Sequence, residues 1–145
     1  MDERFVSRSA EETRTIARQF AATLKPGEVV ALCGQLGAGK TEFMRGVAEF
    51  FGCDDQLSSP TFPIFNIYQG SVQGEPVMIH HFDLYRIGSL RELEALGFDE
   101  YLESAYLSFV EWSDRFMEYE RVYSASVELE HAGEASRRIT IKRKQ

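Results

Sequence analysis

Eight consecutive residues of this 145-residue chain fit the pattern G-x-x-x-x-G-K-[ST] without a mismatch. In such a loop, successive backbone N–H groups surround the phosphates of a nucleotide, and the lysine reaches the β- and γ-phosphates. The threonine hydroxyl then holds Mg²⁺. The pattern therefore predicts a phosphate loop (P-loop) that binds a nucleotide. Its residues are Gly34, Gln35, Leu36, Gly37, Ala38, Gly39, Lys40 and Thr41.

Two acidic residues, Asp83 and Glu111, each directly follow an apolar run that is typical of a strand. A strand of an α/β sheet delivers the side chains at its carboxyl end to the nucleotide crevice. We expect one carboxylate to help hold Mg²⁺ and the other to organise the attacking water or the acceptor. The residues alone leave that division open. They also leave open the alternative that either residue is a helix cap or a surface acid.

Motifs that the chain lacks argue against several classes of P-loop protein. The only asparagine, Asn66, is followed by Ile67, so the asparagine-lysine-x-aspartate guanine selector of GTPases is absent. There is also no serine-glycine-glycine run of the kind found in transporter-type ATPases. A small-molecule kinase usually needs an arginine-rich lid, for which the middle of the chain offers only Arg86 and Arg91. The sequence therefore favours ATP hydrolysis or nucleotide switching. A phosphotransferase with a small acceptor and a non-hydrolysing binding module remain the alternatives.

The residues around the loop predict the strand and the helix that must position it. Residues 28–33 form a short continuous apolar run, typical of a strand buried on both faces. After the loop, a helical stripe places one apolar face toward the core, and the helix N-terminus points at the phosphates. The stripe consists of Phe43, Met44, Val47, Ala48 and Phe51, and Phe50 is assigned to the core with it.

The remaining elements predict one compact α/β domain. Ser9 with Glu12, and Ser89 with Glu92, have the spacing of helix-capping boxes. Strands are expected at residues 4–8, 61–68, 77–82, 107–110, 124–130 and 138–142, with turns at 70–76 and around Gly133, and a short helix at 100–104. We therefore predict a single P-loop NTPase domain over residues 1–145. Its sheet is central and mostly parallel, with antiparallel hairpins added and helices on both faces.

Charge and composition limit the partners and the compartment. The net charge is −7, which does not favour general nucleic-acid binding, although residues 137–145 carry five basic residues and no acid. That basic end either meets RNA or an acidic partner, or simply keeps a terminal strand soluble. Two cysteines make no disulfide framework, and neither a signal peptide nor a membrane-spanning run is evident. We expect a cytoplasmic protein without a membrane partner.

Three conspicuous side chains receive packing roles. His80 and His81 are neighbours on a predicted strand, so they face opposite ways and cannot form a joint metal site. His81 is expected to be a half-buried residue near Asp83. Trp112 is expected to pack beside the nucleotide pocket, with stacking on the base as the alternative.

Four motifs together resemble one family, the small bacterial ATPase of tRNA threonylcarbamoyladenosine biosynthesis called TsaE, formerly YjeE. The resemblance covers nearly the full chain, and the six-residue third motif joined to this P-loop is highly specific. Departures are small, since Gln35 stands where aspartate is common and Ser113 where proline often follows the tryptophan. The motifs are Gly34 to Thr41, Ser59-Pro60-Thr61-Phe62, His81-Phe82-Asp83-Leu84-Tyr85-Arg86 and Glu111-Trp112.

The resemblance implies an ATPase subunit rather than a free-standing enzyme. The family supports the transferase complex, with TsaB- and TsaD-type subunits, that modifies the adenosine next to the anticodon in tRNAs reading A-starting codons. The resemblance implies that ATP hydrolysis resets that complex between turnovers, and that the chain meets tRNA only through the complex. By similarity, Lys40 contacts phosphate, Thr41 and Glu111 hold Mg²⁺, and Asp83 serves the attacking water. Thr61 belongs to a switch-like segment over the nucleotide, and the turn that ends at Arg137 lies near the base.

Overall fold

The computed structural model describes residues 2–35, 37–53 and 65–144, and a seven-stranded mixed sheet is the central element of this part of the chain. The strands are β1 (Asp2–Ser7), β2 (Val29–Gly34), β3 (Phe65–Val72), β4 (Glu75–Asp83), β5 (Leu107–Glu111), β6 (Ala125–His131) and β7 (Arg137–Arg143). Their order is β1-β7-β6-β2-β5-β4-β3. The middle four strands run parallel, and the hairpins β6–β7 and β3–β4 are antiparallel. The predicted α/β class is confirmed.

Helices cover both faces of this sheet. They are α1 (Ala10–Ala21), α2 (Lys40–Phe50), α3 (Leu90–Ala95) and α4 (Phe98–Ser104), with 3₁₀ turns at Ser113–Arg115 and Met117–Val122. Alternate residues of β2 point to opposite faces. Val30 and Leu32 pack with residues of α1 and α2, whereas Val29 and Ala31 pack with residues of α3 and α4. The buried central strand therefore has two apolar faces, as predicted.

The α2 helix presents its predicted stripe to the core. Phe43, Met44, Val47 and Ala48 are buried, and so is Phe51, the residue that caps the helix. The assignment of Phe50 to the core is wrong, because this side chain is 44% exposed and its ring packs edge-on against Phe51. The error arises because, at about 100° per residue, Phe50 falls just outside the edge of the buried stripe, whereas Phe51 falls within it.

Both predicted capping residues are confirmed. The hydroxyl oxygen of Ser9 accepts a hydrogen bond from the backbone N–H of Glu12, and that of Ser89 accepts one from Glu92. In each case the glutamate carboxylate accepts the return bond from the residue before the cap, Arg8 or Gly88, at 2.7 Å and 3.1 Å. These contacts fix where α1 and α3 begin.

The turn between β3 and β4 is shorter than the sequence predicts. Instead of spanning residues 70–76, it consists of Gln73 and Gly74, with backbone φ angles of 52° and 83°. Two successive left-handed residues form a tight hairpin turn, so Val72 pairs directly with Glu75. Glutamine is not a typical residue for the first of these positions, which is why the sequence did not reveal the turn.

Some predicted features lie outside the described residues. These are Leu36, Thr61 with the rest of the segment 59–62, and the first residues of the strand predicted at 61–68. Among the helices of the described ranges, none is long and apolar enough to cross a membrane.

Candidate functional site

The P-loop connects β2 to α2 at the carboxyl edge of the parallel strands. Gly37 and Gly39 have backbone φ angles of 78° and 106°, a region that favours glycine. At Gly34, a Cβ atom would lie 2.8 Å from the carbonyl oxygen of Leu129 on β6, so a side chain does not fit there. Gly39 caps α2 without a side-chain hydrogen bond. The first N–H groups of α2 are therefore able to bind an anion.

A cleft of about 1020 Å³ borders this loop. Its lining contains nine of the predicted site residues and two that the sequence missed, Glu42 and Tyr85. Ala38, another residue of the loop, is fully buried and does not line the cleft. Both missed residues could have been found from their neighbours in the sequence, since Glu42 directly follows Thr41 and Tyr85 lies in the same motif as Asp83. The cleft is lined by Gly34, Gln35, Gly37, Gly39, Lys40, Thr41, Glu42, Asp83, Tyr85, Glu111 and Trp112.

Glu111 contacts two nitrogen donors. Its Oε1 lies 3.1 Å from Nζ of Lys40, and its Oε2 lies 2.6 Å from Nε2 of His81. Burial by itself raises the pKa of Glu111, but the hydrogen bonds and charges of His81 and Lys40 outweigh it and lower the pKa. The carboxylate is therefore ionised at neutral pH, with one oxygen on each donor.

Asp83 stands beside Glu111 in the sheet. The two residues are partners in the parallel register of β4 and β5, so their side chains share a face at the carboxyl edge. Oδ1 of Asp83 accepts a hydrogen bond from the backbone N–H of Tyr85 at 3.0 Å. The backbone N–H of Leu84 donates to the carbonyl oxygen of Glu111 at 3.1 Å. The structure thus brings the two predicted carboxylates together next to the P-loop.

Trp112 lies on the rim of the cleft beside Tyr85. Their ring centroids are 4.8 Å apart with an angle of 48° between the planes, and the side chains are 43% and 56% exposed. Trp112 has a left-handed backbone with φ of 60°, which is unusual for a bulky residue and stores strain. This strained conformation occurs directly after the end of β5, and with it the indole of Trp112 lines the cleft.

Arg137 reaches the P-loop from the first residue of β7. Its Nη2 donates a hydrogen bond to the carbonyl oxygen of Gly37 at 3.2 Å, and Nη1 donates to that of Ser136 at 3.1 Å. The guanidinium therefore lies against the loop, although Arg137 is not among the residues that line the main cleft. This adds a fixed positive charge on the β6–β7 side of the loop.

A second groove, of about 620 Å³, lies on that side. It shares Gly34 and Gln35 with the main cleft and is otherwise lined by Cys33, Glu128, Leu129, Glu130 and His131. The sequence missed its residues from β6, because only the pairing of β6 with β2 brings them beside the P-loop. Burial raises the pKa of the Cys33 thiol, and the charge of Glu128 raises it further. The thiol is therefore protonated and packs as an inert group.

The start of α2 is tied to α1. Nη1 of Arg14 donates to Oε1 of Glu42 at 2.8 Å, and its Nη2 lies 2.6 Å from the carboxylate of Glu11. The same Oε1 of Glu42 lies 3.2 Å from Nη1 of Arg45. The two helices also touch closely at Gly46, where a Cβ atom would lie 2.5 Å from the carbonyl oxygen of Arg14. These contacts hold the first turn of α2, and therefore Lys40 and Thr41, in place.

Comparison with known proteins agrees with this geometry. The family model described as "Threonylcarbamoyl adenosine biosynthesis protein TsaE" matches residues 7–139, a range that contains the P-loop, both carboxylates and Arg137. The tRNA threonylcarbamoyladenosine biosynthesis protein TsaE of Bacillus subtilis (strain 168) is 39% identical over 130 residues, which cover 90% of this chain and 78% of that protein. The protein of the same name from Treponema pallidum (strain Nichols) is 32% identical over 138 residues, covering 95% and 98%.

A solved structure supports the same relationship. The crystal structure of YdiB from Bacillus subtilis superposes with a TM-score of 0.75 at 31% sequence identity. The match covers 99% of this chain and 86% of that one. The likeness therefore extends over the whole sheet and both helical layers rather than the P-loop alone.

Proposed function

This chain belongs to the TsaE family of threonylcarbamoyl adenosine biosynthesis proteins, and from that premise we propose that it is the ATP-hydrolysing subunit of tRNA threonylcarbamoylation. In this role it acts with the TsaB- and TsaD-type transferase subunits, and its hydrolysis of ATP resets their complex between turnovers. The product is threonylcarbamoyladenosine next to the anticodon of tRNAs that read A-starting codons. The observation that carries the proposal is the convergence of the P-loop, Asp83 and Glu111 on one cleft.

The P-loop binds the phosphates. The N–H groups at the start of α2 surround the β- and γ-phosphates, and Lys40 neutralises part of their charge. Lys40 stays in contact with the phosphoryl group as charge develops on it, which makes this lysine catalytic. Its side chain is 15% exposed, so its charge acts in a partly desolvated site.

The donors beside Lys40 fit Mg²⁺. This ion prefers oxygen ligands and is usually held by one or two carboxylates together with the substrate phosphates. The Thr41 hydroxyl and the Glu111 carboxylate line the same cleft and would hold it. When bound, Mg²⁺ neutralises charge on the β- and γ-phosphate oxygens.

Asp83 positions the attacking water. One of its oxygens is fixed by the N–H of Tyr85, and the other has no hydrogen bond from the described residues. That second oxygen is able to accept a proton of a water molecule that approaches the γ-phosphate. Asp83 and Glu111 thus share a face of the sheet and differ in role.

The nucleoside is proposed to lie on the opposite side of the P-loop from these carboxylates. The groove beside β6 continues from the main cleft through Gly34 and Gln35. Arg137 stands on this side and contacts the loop at Gly37. In the proposed arrangement Arg137 lies near the base, and Trp112 packs at the rim beside the carboxylates and does not stack on the base.

The exposed ring pair Tyr85 and Trp112 supports the dependence on partners. Exposed aromatic surface at the mouth of a site is typical of a protein interface. A transferase subunit that covers it would exclude water and strengthen the electrostatic contacts in the cleft. We therefore expect weak hydrolysis by this chain alone and faster hydrolysis in the complex. Family membership supports this role and gives no support to the phosphotransferase alternative.

The test is reconstitution of the chain with its TsaB- and TsaD-type subunits, tRNA and labelled ATP. Phosphate release and tRNA nucleosides, the latter by mass spectrometry, are measured with and without partners. We expect the partners to raise phosphate release, and Lys40→Ala to lower it by roughly 100-fold or more. Lys25→Ala, which changes an exposed lysine before the start of β2, at the opposite end of this strand from the P-loop, is the control. Label on a small acceptor instead of free phosphate, or full turnover without partners, would contradict the proposal.

A further inference from the structure

We propose that His81 is the positioning residue that holds Glu111 in place when Lys40 moves from this carboxylate to the phosphates of a bound nucleotide. The inference rests on the proposed function, because it concerns how the same site accepts its nucleotide. It changes the role of a residue that the sequence assigned to packing near Asp83. The structure places the ring nitrogen of His81 against Glu111 instead.

The contact has the geometry of a strong hydrogen bond. Nε2 of His81 and Oε2 of Glu111 are 2.6 Å apart, and the two side chains are only 13% and 15% exposed. An ionised carboxylate can only accept hydrogen bonds, so Nε2 of His81 carries the proton and donates it. A short bond to a charged acceptor, shielded from water, is stronger than an ordinary one.

The two oxygens of Glu111 have different partners, and this difference matters during binding. Oε1 faces Lys40 and Oε2 faces His81. When Lys40 turns to the phosphates, Oε1 loses its donor in a site where an unpaired charge is costly. Among the described residues, the bond from His81 is then the one that remains on the carboxylate. It fixes the carboxylate through Oε2 and so keeps Oε1 on the side of the P-loop.

The surroundings of His81 suit it to this role. Its ring stacks against that of Tyr68 from β3, with centroids 6.4 Å apart and an angle of 23°. Its Nδ1 is buried and has no hydrogen-bond partner in the described part of the chain, so no other polar contact there sets the ring's orientation. His81 is also absent from the residues that line the cleft. It therefore acts through Glu111 and not on the nucleotide.

Two substitutions separate this role from simple packing. His81→Gln keeps an N–H donor near the position of Nε2, whereas His81→Leu fills space without a donor. If His81 only packs against Tyr68, the two variants should behave alike or the leucine should do better. If it positions Glu111, the glutamine should rescue function and the leucine should not.

The readout is Mn²⁺ affinity, measured by electron paramagnetic resonance in the presence of a saturating non-hydrolysable ATP analogue. We expect His81→Leu to weaken Mn²⁺ binding by about 10- to 100-fold, the range for losing a partner that orients a metal ligand. Affinity for the analogue without metal should be unchanged, and His81→Gln should recover most of the loss. Because no hydrolysis occurs, this result stands or fails separately from the ATPase proposal.

A double-mutant cycle with Glu111→Ala completes the test. If His81 acts through Glu111, His81→Leu should have no further effect once Glu111 is gone. The control is His80→Leu, which removes the neighbouring buried histidine on the opposite face of β4. Additive effects of His81→Leu and Glu111→Ala, or an equal loss in the control, would overturn the proposal. If His81→Leu does not fold, as judged by circular dichroism, His81→Phe takes its place in the same cycle.

Discussion

Nζ of Lys40 lies 3.1 Å from Oε1 of Glu111, so the P-loop lysine and the carboxylate at the end of β5 form an ion pair. Lys40 begins the helix that follows β2, and β2 is the parallel neighbour of β5 in the sheet. Both side chains are 15% exposed. The phosphates of a nucleotide must compete with the Glu111 carboxylate for contact with Lys40. They are also repelled by the negative charge of that carboxylate. The ion pair therefore opposes binding of a nucleotide without metal. A bound metal ion would offset the repulsion between the Glu111 carboxylate and the phosphates.

This competition predicts that Glu111→Gln raises the affinity for ATP in the presence of EDTA. The expected gain is at least roughly fivefold, because an exposed ion pair is worth up to about 1 kcal/mol and this pair is mostly buried. The same variant should lose most of the enhancement that Mg²⁺ gives the wild type. Titration with a fluorescent ATP analogue measures both, and Glu103→Gln on the surface of α4 is the control. A lower affinity in EDTA would mean that the charge of Glu111 does not compete for Lys40.

The close approach of α1 and α2 predicts that Gly46→Ala destabilises the protein. A Cβ atom there would lie 2.5 Å from the carbonyl oxygen of Arg14 and 2.7 Å from Cβ of Ala17. Overpacking of this kind costs about 1–3 kcal/mol, which outweighs the gain of about 1 kcal/mol from replacing a helical glycine. Denaturant unfolding measures the net loss.

Gly88→Ala is the matched control for this change. The nearest atom to its added Cβ would be Oε2 of Glu92 at 3.4 Å, the end of a flexible side chain. Its free energy of unfolding should stay close to that of the wild type. Equal stability of the Gly46→Ala variant would show that α1 can move away from α2 at little cost.

Buried His80 predicts a loss of stability in mild acid. Burial lowers its pKa below the ordinary value of 6.5, although a hydrogen bond with the backbone of Tyr101 raises it in part. As pH falls below 6.5, the unfolded chain binds a proton that the folded protein still resists. Stability therefore decreases from pH 6.5 down to the folded pKa, by at most about 1.4 kcal/mol per pH unit for one group.

His80→Leu should remove this contribution and flatten the pH dependence of the free energy of unfolding over that window. His131→Leu, which changes an exposed histidine at the end of β6, should leave it as it is. Urea unfolding at intervals from pH 7.5 to pH 5 compares the three proteins. An unaltered slope in His80→Leu would assign the pH dependence to other groups.

Local patterns predicted much of the fold because they depend on neighbouring residues. The P-loop, the stripe on α2 and the caps at Ser9 and Ser89 are each determined by residues that are close together in the sequence, and such a local pattern is not enough to predict which strands pair. The position of β6 beside β2 is not determined in this way, since these strands are about 95 residues apart in sequence and meet only in the folded sheet. The groove at Glu128, Glu130 and His131 was missed for the same reason.

The contacts of His81 and of the basic C-terminal end could not be predicted from the sequence, because they depend on which strands pair and in which register. Sequence placed His81 near Asp83, its neighbour on the strand, whereas the pairing of β4 with β5 brings it to Glu111, 30 positions away. The basic end forms β7, where Lys142 lies 3.6 Å from Glu128 and Arg143 lies 3.4 Å from Glu3. The guanidinium of Arg143 also lies 5.0 Å from the ring centroid of Phe20. These partners give Lys142 and Arg143 structural roles, so charge substitutions rather than truncation are suited to testing contact with tRNA.

The paired carboxylates predict a division of labour between Asp83 and Glu111. A metal ligand acts before any chemistry, because it would hold the ion together with the nucleotide already in the ground state. A carboxylate that positions water acts mainly in the transition state, so its loss lowers turnover with little change in binding. We therefore expect Asp83→Asn to keep the Mg²⁺-dependent affinity for ATP and to lose hydrolysis by roughly 100-fold or more.

Thr41→Ala and Glu111→Ala are the comparison, because both should weaken the Mg²⁺-dependent affinity itself. The fluorescence of Trp112, the only tryptophan of the chain, follows nucleotide binding with and without Mg²⁺, and phosphate release in the partner complex follows turnover. The amide of Asp83→Asn should still accept the hydrogen bond from Tyr85, so the fold of this edge is preserved. If Asp83→Asn loses the metal dependence while Glu111→Ala retains it, the two roles are exchanged, and the P-loop assignment stands without the present division of the carboxylates.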